Sequence, residues 1–194
     1  MDREPDIVQT IPVRDRLLDA AEQVISLAGV SNLTLEAVAR DAGVSKGGLL
    51  YHFPSKSALV TAIVERLAAR CDGEQQGAVD GDPHAGGAFA RAYLNVRAKQ
   101  PEPHKRSIQL ALLAAAGTDP HYLEPIRARF AQWQARLEND GIDPVTATIV
   151  RLTADGLALG ELLEIAVPGG ELRQRVIERL LAMISPAQSG DTQP

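Results

Sequence analysis

The sequence predicts an all-α protein, with an N-terminal three-helix head built around a helix-turn-helix and a helical C-terminal domain behind it. Three observations carry this. Ala and Leu are abundant, aromatics make up only 4% of the residues, and no run alternates Val, Ile and Thr as a strand would. Apolar positions recur at helical spacing along most of the chain. Caps, glycines and prolines divide it into helix-length pieces.

Residues 1–12 are expected to form a disordered arm. Helix 1 runs from Val13 to Ala28 on Leu17, Ala21, Val24 and Ala28, with Leu18 and Ile25 widening the stripe, and Gly29 stops it. Thr34 caps a second helix over Leu35–Ala42, and Gly43 ends it. Ser45 caps a short third helix, Lys46–Tyr51. Pro54 breaks the chain, and Ser55 caps a fourth helix that ends near Arg70. This places the head over residues 13–71. The stretch DGEQQGAVDGDPHAGG, residues 72–87, reads as a loop between domains. Helices over about 88–99, 104–116, 120–139, 144–166 and 171–184 fill a second domain over 88–185. Two of them open on Asp119-Pro120 and Asp143-Pro144. Residues 186–194 are expected to be a disordered tail.

Composition excludes several classes of function. With 45% hydrophobic residues the chain can bury a core, and Cys71, the single cysteine, rules out an intramolecular disulfide or a four-thiolate metal site. The start MDREPDIVQTIPVRD lacks the pattern of a signal peptide, and no apolar run is long enough for a membrane helix. A soluble, cytoplasmic protein with no membrane partner is expected. His52, His84, His104 and His121 form no i, i+4 pair with an acidic partner, and no Gly-Gly pair sits in a phosphate-loop frame. Neither a metal nor a cofactor is expected. No nucleophile–base pair points to an enzyme. The net charge is −5, yet between residues 40 and 56 Arg40, Lys46 and Lys56 oppose only Asp41. Any basic footprint is therefore small, and two subunits would share the work of neutralising phosphates.

The informative stretch is TLEAVARDAGVSKGGLLYHFPSK, Thr34 to Lys56. Two helices meeting steeply across a short turn need a small residue at their contact, which Ala39 supplies. The turn needs a residue that tolerates positive φ, which Gly43 supplies. Val38, Val44 and Leu49 are spaced to form the small core between them. The first turn of the second helix is left facing outward, where it would enter a major groove.

From Val13 to about Leu67 the sequence resembles the DNA-binding head of the TetR family of transcriptional regulators. The resemblance rests on LLDAAEQVISLAG, Thr34, AGVSKGGLLYHFPSK and the amphipathic helix that follows. ADGLALGELLEIA resembles the penultimate helix of several members. The resemblance implies a phosphate contact at Thr34 and a groove-facing set of Ser45, Lys46, Gly47 and Gly48. It implies DNA-backbone contacts at Tyr51 and His52, and a further phosphate contact at Lys56. Read from the residues alone, Tyr51 packs in the small core or meets the DNA, and His52 is a surface residue or a contact. Many relatives carry a bulkier polar residue and a Thr where this chain has Gly47 and Gly48. Base readout would then rest on Lys46, on close backbone approach and on DNA shape.

In the C-terminal domain, Ile149, Leu152, Leu157 and Leu163 spread over more than one helical face, and Gly156 and Gly160 stand four apart. The last helix adds Leu172, Val176 and Leu180. A helix with two apolar faces beside a second apolar helix suggests a homodimer interface built as a four-helix bundle. The resemblance implies the same pair of helices. Phe89, Tyr93, Tyr122, Phe130 and Trp133 either line a pocket for a small-molecule effector, as the resemblance implies, or form a plain packed core. The expected protein is a dimeric, ligand-responsive regulator, acting as a repressor on a near-palindromic operator in double-stranded DNA. An activator, a ligand-independent regulator and, further off, a helical enzyme are the alternatives.

Overall fold

The structure, a computed structural model, describes residues 11–184 apart from Pro101 and Ala166. All but two residues of the expected arm, and the whole of the expected tail, lie outside the described residues. Among the described residues there are nine α-helices and no strand. They are α1 (Val13–Ala28), α2 (Leu35–Asp41), α3 (Lys46–His52), α4 (Lys56–Asp80), α5 (Ala88–Arg97), α6 (Pro103–Thr118), α7 (Glu124–Glu138), α8 (Pro144–Leu163) and α9 (Gly170–Ile184). Short 3-10 turns, Val30–Asn32 and Pro120–Leu123, precede α2 and α7. The chain divides into two compact units, Met1–Ile63 and Val64–Pro194.

In the first unit, α1 buries Leu17, Leu18, Ala21 and Ile25, while Ala28, expected on the same stripe, is exposed. Val38 of α2, Leu49 of α3 and Leu59, Val60 and Ile63 of α4 complete the core with Leu33 and Phe53. Each large apolar side chain so buried contributes about 1.5–3 kcal/mol. Thr34, Ser45 and Ser55 cap as expected, their hydroxyls accepting from the N–H groups of Ala37 (3.1 Å), Gly48 (3.1 Å) and Ala58 (3.0 Å). Gly43 makes the turn at φ 64°. The Val44 N–H donates back to the Ala39 carbonyl at 2.9 Å, and the Arg16 Nη2 closes on the Ala42 carbonyl at 2.6 Å. The two glycines of α3 differ. A Cβ at Gly47 would meet open space, whereas one at Gly48 would lie 2.8 Å from Val44 Cγ1.

The loop expected over 72–87 is corrected. The fourth helix does not stop near Arg70 but continues through Gly73 and Gly77 to Asp80. Tertiary contacts outweigh the ~1 kcal/mol each glycine costs a helix. Cys71, Gln75 and Val79, spaced four apart, turn inward on this stretch. Asp72 accepts from Trp133 Nε1 at 2.7 Å and pairs with Arg129 at 2.8 Å, and Gln76 accepts from Arg136 at 3.0 Å. The boundary between the two units falls at Ile63, inside α4.

The second unit packs α5 on α8, with α7 and α9 flanking and α6 against α8. Its core is Phe89, Tyr93, Leu94, Trp133, Leu137, Val150, Ala154, Leu180 and Ile184. Asp143 and Pro144 open α8 as expected, with Asp143 accepting from the Thr146 N–H at 2.9 Å. Asp119-Pro120 opens a 3-10 turn instead, and α7 begins four residues later. Where α4 does end, one arginine holds the connection. Arg91 donates to both oxygens of Asp82 (2.7 and 2.9 Å) and to the carbonyls of Gly86 (3.0 Å) and His84 (2.7 Å). Asp140 then caps α5, accepting from the N–H groups of Phe89 (3.0 Å) and Ala90 (2.7 Å).

Two outcomes are expected. Arg91, helped by the His84 N–H, holds the Asp82 carboxyl down at about 2. A carboxylate depressed on folding stabilises above its unfolded value near 4 and loses that contribution as pH falls towards 2. Asp82→Asn should flatten the acid limb of a stability–pH curve, measured by denaturant titration, and remove stability at neutral pH. Gly47→Ala should stabilise the protein by ~1 kcal/mol through helix propensity, while Gly48→Ala should show none of that gain because Val44 must give way. Parallel thermal melts compare them.

Candidate nucleic-acid interface

The outward side of the helix-turn-helix is assembled from the ends of three helices in the first unit. Thr34 and Ser45 spend their hydroxyl lone pairs on caps, which leaves each O–H proton free to donate to a phosphate oxygen. Lys46, Gly47 and Gly48 form the first turn of α3. Lys46 is exposed, and its ammonium lies 2.6 Å from the carboxylate of Glu36 on α2. That hydrogen bond holds the Glu36 carboxyl below its ordinary value. In the sequence Glu36 reads only as an ordinary charge in the first turn of α2.

At the other end of α3, Tyr51 is 85% exposed, so it does not pack in the small core. Leu49, wholly buried, fills that place. His52 is half-buried, its ring edge-on to Tyr51 at 5.1 Å between centroids. Lys56 opens α4, and its ammonium donates to the Val30 carbonyl at 3.3 Å. Arg14 lies over the Phe53 ring, 5.5 Å from its centroid, and braces the segment between α3 and α4. The surface thus presents Lys46, Tyr51 and Lys56 around two glycines. It can place cations and hydroxyls on phosphates and bring backbone close to base edges.

The other predicted residues lie in the second unit. Phe89, Tyr93 and Trp133 are buried and meet edge-on, with centroids 6.2 and 5.8 Å apart. Phe130 tilts against Trp133 at 5.0 Å and is only half-buried. Tyr122 is half-buried on the 3-10 turn before α7 and is not part of the core cluster. The Tyr93 hydroxyl donates to Asp155 at 2.7 Å, and burial with that carboxylate pushes its pKa far up.

Of the expected interface residues, Ile149, Leu152, Gly156 and Leu163 are exposed on α8 and Leu172 is exposed on α9, while Val176 is half-buried. Leu157, Gly160 and Leu180 are corrected: they are buried within the chain itself. A Cβ at Gly160 would lie 2.7 Å from Val167 Cγ2, so this glycine accommodates the chain's own return towards α9. Val145 and Leu159 join the exposed row instead. Among the described residues, no group of His, Cys, Asp and Glu is placed to hold a metal, and no helix is long and apolar enough to cross a membrane.

Comparison with known proteins agrees with this geometry. Residues 17–63 match the family described as bacterial regulatory proteins, tetR family, and residues 87–185 match the tetracyclin repressor-like C-terminal domain. The HTH-type transcriptional regulator UidR of Escherichia coli (strain K12) is 38% identical over 63 residues, covering 30% of this chain and 32% of UidR. The chain spans about a third of the length of such curated relatives. A transcriptional regulator of Streptomyces coelicolor A3(2), SCO7518, shares the fold with a TM-score of 0.71 at 20% identity, over 90% of this chain and 99% of that one. The multidrug binding protein EbrR, solved with ethidium, aligns with a TM-score of 0.63 at 26% identity, over 87% of this chain and 98% of its own. With both units matched, the second over half of its length, the chain belongs to the TetR family of bacterial regulatory proteins, and the helix-turn-helix of its first unit is the family's own.

Proposed function

We propose that the chain is a homodimeric, effector-responsive transcriptional regulator that works in the cytoplasm as a repressor on a near-palindromic operator. The observation that carries the DNA-reading role is the exposed first turn of α3, capped by Ser45 and flanked by Lys46, Tyr51 and Lys56. The exposed apolar row on α8 supports the dimer. Val145, Ile149, Leu152, Gly156, Leu159 and Leu163 follow one another by threes and fours along one face, with Leu172 of α9 exposed as well. A second copy would cover such a row by a two-fold helix pairing, and two heads would then read two half-sites. The effector role is supported by the likeness to EbrR, which binds ethidium. The close ring packing of Phe89, Tyr93 and Trp133 favours, as a second reading, a regulator that works without a small ligand.

The test is selection of bound genomic fragments by the purified protein at two salt concentrations. Recovery of a short near-palindrome supports the reading; uniform, sequence-independent binding overturns it.

Variants then separate the roles. Lys46→Ala should weaken operator binding by about 1–3 kcal/mol and relax specificity. Lys56→Ala should weaken binding to every sequence alike and lower the salt slope by about one per subunit. Glu36→Gln, which frees Lys46, should raise affinity for every sequence; an unchanged or lower affinity would show that the ion pair positions Lys46 for the groove. Leu152→Glu should move the protein from dimer to monomer in analytical ultracentrifugation, because a two-fold interface meets each substitution twice.

A further inference from the structure

The second unit contains a polar cluster that DNA reading does not use. Gln75 of α4 is 1% exposed, and neither its Oε1 nor its Nε2 has a hydrogen-bond partner. Cys71 and Val79, one turn to either side on the same face, pack against the cluster of Phe89, Tyr93 and Trp133, so the amide is aimed at those rings. A buried, unpaired amide is costly to keep in an apolar setting.

The same ring cluster carries two guanidinium groups, Arg97 over Phe130 and Arg151 joined to Tyr93 through Asp155. Burial pushes the Cys71 thiol up, and the nearby charge of Arg97 pulls it partly back. Arg97 stands 5.8 Å from the centroid of the Phe130 ring and donates its Nε to Asp155 Oδ1 at 3.0 Å. Arg151 donates its Nη1 to Asp155 Oδ2 at 3.2 Å, and its buried Nε has no partner. Asp155 also receives the Tyr93 hydroxyl. Two cations therefore share one carboxylate. The neighbouring acids are already engaged, Asp72 by Arg129 at 2.8 Å and Glu74 by Lys99 at 4.0 Å. One positive charge is left over, mostly withdrawn from water, beside the half-buried Phe130.

We propose that this cluster binds a small aromatic carboxylic acid, with its carboxylate on Arg97 and Arg151, its ring against Phe130 and Trp133, and a further polar group on Gln75. The inference deepens the effector-responsive reading and rests on it. A single excess charge matches a single carboxylate, and a guanidinium edge suits that planar anion. The aromatic flank selects a ring over an aliphatic chain. Gln75, able to donate and accept, suits a hydroxyl on the ring.

Trp133, the single tryptophan of the chain, reports on the site directly. The full chain is titrated with benzoate, 4-hydroxybenzoate and 1-naphthoate, and with the three corresponding amides, by Trp133 fluorescence and by calorimetry. At least one acid should bind at least about tenfold more tightly than its amide, as an ion pair mostly withdrawn from water implies. Arg151→Gln should abolish that difference while leaving the amide unchanged, and Arg97→Gln gives a second reading should the first variant fold poorly. Gln75→Leu should raise the melting temperature of the empty protein yet weaken 4-hydroxybenzoate more than benzoate, which a merely structural role would not do. Equal binding of acids and amides, or binding by no acid, overturns the proposal. Either result leaves the regulatory reading intact, since operator selection tests that separately.

Discussion

Seven residues are too few for a helix to hold itself in water, and both helices that form the DNA-reading motif have seven. Everything about the first unit follows from supplying from outside what α2 and α3 lack. Side-chain hydroxyls cap their N-termini, and Val38 and Leu49 anchor them in the core. The backbone turn at Gly43 sets the angle between them, and Arg16 reaches from α1 to the Ala42 carbonyl, so the longest helix of the unit holds the turn itself. Loosening that turn would misplace the reading surface without touching a residue on it.

The second unit solves a different problem, since its helices are long enough to form once packed but must be joined at fixed places. Arginines do much of this. Arg91 gathers the connection after α4, and Arg129 and Arg136 tie α7 to α4. Arg173 joins the start of α9 to Glu161 at 3.0 Å and to the carbonyl of Ala98. These groups lie at the rim, where a guanidinium keeps part of its hydration while fixing two or three acceptors. Against that pattern Arg97 and Arg151 stand apart, because they converge on one acceptor.

The head was legible in the sequence because each of its devices is local. A Thr or Ser before a helix, a glycine in a tight turn and apolar spacing over a few residues are visible without knowing what lies across the fold. The second half of α4 was not legible, since Gly73 and Gly77 signal a break that only contacts with α7 overrule. The same applies to α8. Its apolar residues are visible in the sequence, but which of them face inward depends on the neighbours: the spacing points Leu157 and Gly160 outward, and packing within the unit buries both. The burial of Gln75 is illegible for the same reason, because a glycine-flanked stretch that reads as loop gives no sign of an inward face.

The unequal surroundings of the two glycines on α3 bear on how such a protein changes its target over time. Position 47 opens on empty space and position 48 on the side chain of Val44. A lineage that duplicated this gene could therefore explore new side chains at one site of the reading surface with little structural penalty, while its neighbour stayed constrained. Divergence of binding preference among descendants would be funnelled through a single position, and the cap on Ser45 would survive each step.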